Sequence, residues 1–103
     1  MHTIKEGADH IMQSKLISRN VTVNRRRTSL RLEKATWAAL DQICECEKAT
    51  VHELCSMIES VRFGSSRTAT VRAFIVTYFR LAANRGDMAG GIADRALTAF
   101  KPG

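Results

Sequence analysis

Between residues 27 and 33 the chain alternates strictly. Thr28, Leu30 and Leu32 fall on one side of an extended backbone, and Arg27, Ser29 and Arg31 on the other. The pattern predicts a strand with one face in a core and the other turned to solvent as a row of hydrogen-bonding groups. Val21-Thr22-Val23 also reads as strand, but its apolar residues are odd-numbered whereas Leu30 and Leu32 are even-numbered. A straight strand through both would bury arginines or expose valines, so the phase slip predicts a bulge or turn at Asn24 to Arg26. No other stretch alternates as cleanly, and a lone strand leaves its backbone groups unpaired along both edges. The expected partner is the same segment of a second copy, paired antiparallel across a two-fold axis.

After Glu33 the period lengthens to that of a helix. Trp37, Leu40, Ile43 and Cys44 share one face of a helix predicted over 34–47, whose outer face is acidic. Lys48-Ala49 interrupts the pattern, and Thr50-Val51-His52-Glu53 has the Thr-x-x-Glu order of a capping box. A second helix therefore starts there, with Val51, Leu54, Cys55 and Ile58 as its apolar stripe, and ends near Gly64. Ser65 or Ser66 can cap a third helix, about 67–83, lined by Val71, Phe74, Ile75, Tyr78, Phe79 and Ala82. Gly86 is a stop signal, and Ile92, Ala93, Ala96, Leu97 and Phe100 predict a short fourth helix. Upstream, Ala8, Ile11, Met12 and Leu16 carry only a weak helical rhythm. The chain thus reads as mainly α: an arm or short helix at 1–20, a strand and two helices at 21–63, and a helical extension at 64–103.

Composition adds one folded domain of 103 residues, 45% hydrophobic, with a net charge of +6. The charge is uneven. Residues 1–32 carry +5, residues 33–60 carry −4, and residues 61–103 carry +5. Basic ends around an acidic middle point to a polyanion met by one surface. No apolar run is long enough to span a bilayer and the N-terminus has no secretion-signal pattern, so the cytoplasm is the expected location. Cys44, Cys46 and Cys55 are too few and too clustered for a disulfide scaffold. Cys44 and Cys55 fall on the buried stripes of two helices, which favours small core residues over a zinc site. No phosphate loop, nucleophile elbow or metalloprotease motif occurs, so no enzyme activity, cofactor or metal is expected. Trp37 reads as a core anchor between helix and strand. The Phe74, Tyr78, Phe79 stripe reads as core or dimer interface. Arg72 and Arg80 fit structural pairs as well as contacts to that polyanion.

The order of Arg27-Thr28-Ser29-Leu30-Arg31-Leu32-Glu33, the helix carrying Trp37, and the turn Lys48-Ala49-Thr50-Val51-His52 resembles the ribbon-helix-helix family of dimeric DNA-binding proteins. The run Thr70 to Arg80 resembles the extra apolar helix of a bacterial branch. The resemblance implies a homodimer bound to double-stranded DNA as a regulator or repressor. It assigns Arg27, Ser29 and Arg31 to base reading, and Thr50, Val51 and His52 to phosphate anchoring. Leu30, Leu32, Trp37, Leu40, Leu54 and Ile58 would form the dimer core. Helix-start amides bind anions in any case, and Arg25, Arg26 and Lys48 add charge nearby. His52 fits phosphate contact and plain exposure equally. Lys48 stands where the family favours glycine, and His52 where asparagine or serine is common. The alternative is a protein-interaction module, such as an antitoxin or DNA-transfer accessory factor, with its partner at the C-terminal helices.

Overall fold

The computed structural model describes residues 15–85 and 91–100. It runs β1 (Leu16–Val23), β2 (Arg26–Glu33), α1 (Lys34–Glu47), α2 (Val51–Ser60), α3 (Arg67–Arg85) and α4 (Ile92–Thr98). A mainly α chain with an N-terminal antiparallel ribbon and additional C-terminal helices is what the periodicity predicts. Ala8, Ile11, Met12 and Gly86 lie outside the described residues.

The expectation that β2 is a lone strand is corrected: one of its edges already has a partner within the chain. β2 pairs antiparallel with β1 of its own chain, from Val23 opposite Arg26 to Leu16 opposite Glu33. Leu16 therefore opens a strand instead of closing an N-terminal helix. The turn expected at Asn24 to Arg26 lies at Asn24 and Arg25, with φ of 52° and 70°. Two successive positive φ values are the signature of a type I′ turn, whose twist suits a two-residue hairpin. Such a turn pairs odd positions with even ones, as Val21 with Thr28 and Val23 with Arg26. The phase slip in the sequence is thus the parity a two-residue hairpin requires.

Val21, Val23, Leu30 and Leu32 point inward and are almost fully buried against the helices. They join Trp37, Leu40, Ile43, Leu54 and Ile58, and then Val71, Phe74, Tyr78, Ile92 and Ala96, in one core. The residues assigned above to a dimer core are buried within the single chain, with no second copy needed to cover them. Complete burial of side chains this size stabilises by about 1.5 to 3 kcal/mol each.

The helix ends follow local chemistry. Thr50 Oγ1 accepts from Glu53 N at 3.0 Å and Thr50 N donates to Glu53 Oε1 at 2.9 Å, which completes the capping box. α1 ends with Ala49 N donating to Cys44 O and Lys48 N to Glu45 O, the bonding of a Schellman motif. Lys48 takes the left-handed position, φ 57°, that glycine usually fills. Ser66 caps α3 by accepting from Ala69 N at 3.1 Å. Glu47 joins the extension to the core, accepting from Tyr78 Oη at 2.8 Å and Gly91 N at 3.1 Å.

Candidate nucleic-acid interface

Because side chains alternate along a strand, the hairpin has an inner and an outer face. The register places Ser18 opposite Arg31, Asn20 opposite Ser29 and Thr22 opposite Arg27 on the outer one. Arg27, Ser29 and Arg31 are all exposed. Ser18 Oγ and Ser29 Oγ lie 2.6 Å apart, a hydrogen bond that ties the two strands across this face. The three β1 residues were absent from the sequence-derived site. Their signal was the Val21-Thr22-Val23 alternation, which continues back through Asn20 and Ser18.

Arg19 concealed that continuation. It faces inward opposite Leu30, where an apolar residue is anticipated. Its guanidinium lies 4.2 Å over the Trp37 ring and pairs with Asp41 at 3.2 Å. The aliphatic stem thus serves as core lining while the charged head reaches a carboxylate at the edge. Trp37 Nε1 also donates to Ile17 O at 2.8 Å, so the anchor grips β1.

The start of α2 lies against the turn end of β1. Thr22 N donates to His52 Nδ1 at 3.0 Å, Asn24 N to Ser56 Oγ at 3.2 Å, and Ser56 Oγ makes a long 3.5 Å contact with Thr22 O. His52 therefore uses one ring nitrogen to seal the free edge of the ribbon. Between these elements runs an open groove of about 640 Å³ whose lining includes Asn24, Arg25, Ala49, His52 and Met57. The first-turn amides of Val51 and His52 fall outside the helical bonding ladder. Glu53, in the same turn, offsets part of their attraction for an anion.

Arg25, Arg26 and Lys48 are exposed. Arg25 and Lys48 both hold left-handed φ values, a region that costs a residue with Cβ roughly 1 to 2 kcal/mol. On the other side of the turn, Arg26, Arg27, Thr28 and Arg67 line a polar recess of about 260 Å³. Arg67 was not anticipated. Its Nε donates to Glu59 Oε1 at 2.9 Å and its Nη1 to Thr28 Oγ1 at 3.4 Å. Arg62 and Arg67 together hold the Glu59 carboxyl down at about 2, chiefly through their hydrogen bonds. Arg72 pairs with Glu33 at 2.9 Å and lowers its pKa, so this arginine fastens α3 to the end of β2.

The cysteines are free thiols, Cys44 and Cys55 buried and Cys46 half-buried. Burial, followed by the neighbouring Cys44, pushes Cys55 up to about 11, which keeps it protonated and a poor nucleophile. Among the described residues no three His, Cys, Asp or Glu side chains cluster closely enough to hold a metal ion. Likewise, among them no helix is long and apolar enough to cross a membrane.

A family model described as a ribbon-helix-helix domain matches residues 16–79, from the first residue of β1 into α3. No curated protein and no solved structure matches the chain.

Proposed function

The chain belongs to the ribbon-helix-helix domain family, whose members are DNA-binding regulators, and from that membership we propose that it binds double-stranded DNA through the outer face of its hairpin. A two-stranded ribbon fits the major groove, where arginine bonds guanine O6 and N7 in bidentate fashion. One observation carries the reading: Leu30 and Leu32 are buried while Arg27, Ser29 and Arg31 stand exposed together on the opposite face. These three are the proposed base readers.

Arg25, Arg26 and Lys48, with Thr50 at the N-cap and the first-turn amides of Val51 and His52, are the proposed phosphate contacts. The left-handed backbone at Arg25 and Lys48 supports this role. Glycine would be cheaper at both positions, and unfavourable conformations persist where they serve function. In this reading the protein is a transcriptional repressor acting in the cytoplasm, without catalytic activity. A ribbon-helix-helix core up to residue 63 carries the reader, and residues 64–103 form the extension. As a homodimer, its second copy would bring a second hairpin.

Retention of labelled duplex in a gel across a salt series tests the proposal. The expected result is a steep fall in affinity with salt and preference for one sequence. Arg31→Ala should lose about 1 to 3 kcal/mol per bidentate contact. Unchanged discrimination between the preferred and a random duplex in that variant would overturn the base-reading role.

A second reading, a protein-interaction module using the C-terminal helices, is favoured by Val76 on α3, 59% exposed. It borders a groove between α1 and α3 lined by Ala35, Ala39 and Ile75. Failure of the folded chain to retain any duplex at about 50 mM salt would turn the balance to this reading.

A further inference from the structure

We propose that the polar recess beside the hairpin turn, on the side away from the α2 start, is a phosphate-binding site whose fixed donor is Arg67 of α3. It adds a site to those assigned above and does not depend on the base-reading assignment. The phosphate is either one of the DNA backbone or one of a free phosphate ester.

The recess, of about 260 Å³, is lined by Val23, Asn24, Arg26, Arg27, Thr28 and Arg67. Its arginines come from two elements far apart in sequence, the start of β2 and the first residue of α3. Arg26 and Arg27 are exposed, and among the described residues neither pairs with a carboxylate.

Arg67 is held differently. Its side chain is 34% exposed, with Nε on Glu59 Oε1 at 2.9 Å and Nη1 on Thr28 Oγ1 at 3.4 Å. A guanidinium has five N–H donors, so among the described residues these two bonds leave three open. A donor fixed before its ligand arrives spares part of the ordering cost of binding, and the planar fork of arginine suits phosphate oxygens. Glu59 is shared, because Arg62 pairs with it at 2.8 Å. The recess and its support therefore hold four guanidinium groups against one carboxylate. Cations gathered at that ratio repel one another, and an anion relieves the repulsion. A phosphate group answers both the surplus charge and the open donors, since it brings negative charge and several acceptor oxygens together.

The probe is inorganic pyrophosphate, titrated into the full chain at constant ionic strength and followed by amide NMR. Saturable shifts are expected at Arg26, Arg27, Thr28 and Arg67. Arg67→Gln should weaken this binding about tenfold. Arg26→Gln, at an exposed position, should weaken it by a similar factor and carries the test alone if Arg67→Gln does not fold, which circular dichroism checks. Arg62→Gln is the matched control: Arg62 shares Glu59, its side chain is 33% exposed, and it is not among the residues that line the recess. Pyrophosphate affinity should be unchanged in that variant, whereas a merely structural role for Arg67 would make the two variants lose alike. Equal losses in the Arg62 and Arg67 variants overturn the proposal. So do shifts that fail to saturate or that spread over all the exposed arginines. Duplex retention across a salt series then separates the sources. A salt slope lowered by about 1 in Arg67→Gln identifies a phosphate of the DNA backbone, and an unchanged slope identifies a free phosphate ester. Failure of the wild type to retain duplex at all would remove the DNA reading and leave the recess, with its pyrophosphate result, standing.

Discussion

On the inner face of the ribbon, β2 presents Thr28, Leu30 and Leu32, and the paired positions of β1 are Val21, Arg19 and Ile17. Leu30 and Leu32 are held by plain burial, and α3 fastens the ends of the strand through Arg67 to Thr28 and Arg72 to Glu33. On β1, Val21 and Val23 are buried, but much of the remaining attachment is polar. Trp37 bonds Ile17, Arg19 covers Trp37, and His52 and Ser56 bond the backbone near the turn. A strand fixed by alternation announces itself in sequence. A strand fixed partly by hydrogen bonds to distant side chains does not.

Substituting the Arg19 and Leu30 pair puts that difference to measurement. Leu30→Ala should cost about 2 to 5 kcal/mol in urea unfolding, since it leaves a cavity in a closed core. Next in size, Glu59→Gln should cost about 1 to 2 kcal/mol, after allowance for partial exposure, by releasing Arg67 from its place beside β2. The Glu59 pKa is depressed from 4.5 to about 2 in the folded protein. Its contribution is therefore present above pH 4.5 and lost as pH falls toward 2, and the gap between wild type and variant should close over that window.

Arg19→Ala should cost about 1 kcal/mol, the worth of a cation–π contact with a screened ion pair. A loss as large as that of Leu30→Ala would end the distinction between the strands. Arg25→Gly, at the turn joining them, should have the smallest effect on stability, a gain of up to about 1 kcal/mol from relief of the left-handed conformation. It should also weaken duplex binding at low salt and lower the salt slope by about 1. A stability gain with unaltered DNA affinity would remove Arg25 from the phosphate contacts.

Much of the helical fold was legible. The capping box at Thr50 and Glu53, the stripes of α1 and α2, and the serine cap of α3 are local features, set within a few residues of one another. Lys48 shows the limit of residue preference. The Schellman bonds from Lys48 and Ala49 form without glycine, because the turn between two packed helices outweighs a cost of roughly 1 to 2 kcal/mol. Of the outer face, the β2 half was legible from alternation. The β1 half was hidden because Arg19 occupies an inward position, and one charged residue is enough to break a short period-two pattern.

The sequence alone determined where the chain must turn, which residues point inward on β2 and where each helix of the core begins, because these follow from steric parity and from bonds between near neighbours. Only the tertiary structure decided which strand completes the ribbon. That choice depends on Trp37, Asp41, His52 and Ser56, which lie about 20 to 34 positions beyond the β1 residues they hold. Backbone hydrogen bonding demands a partner but does not specify whose. The short hairpin connection and the side chains waiting on α1 and α2 make the near strand the one that fits.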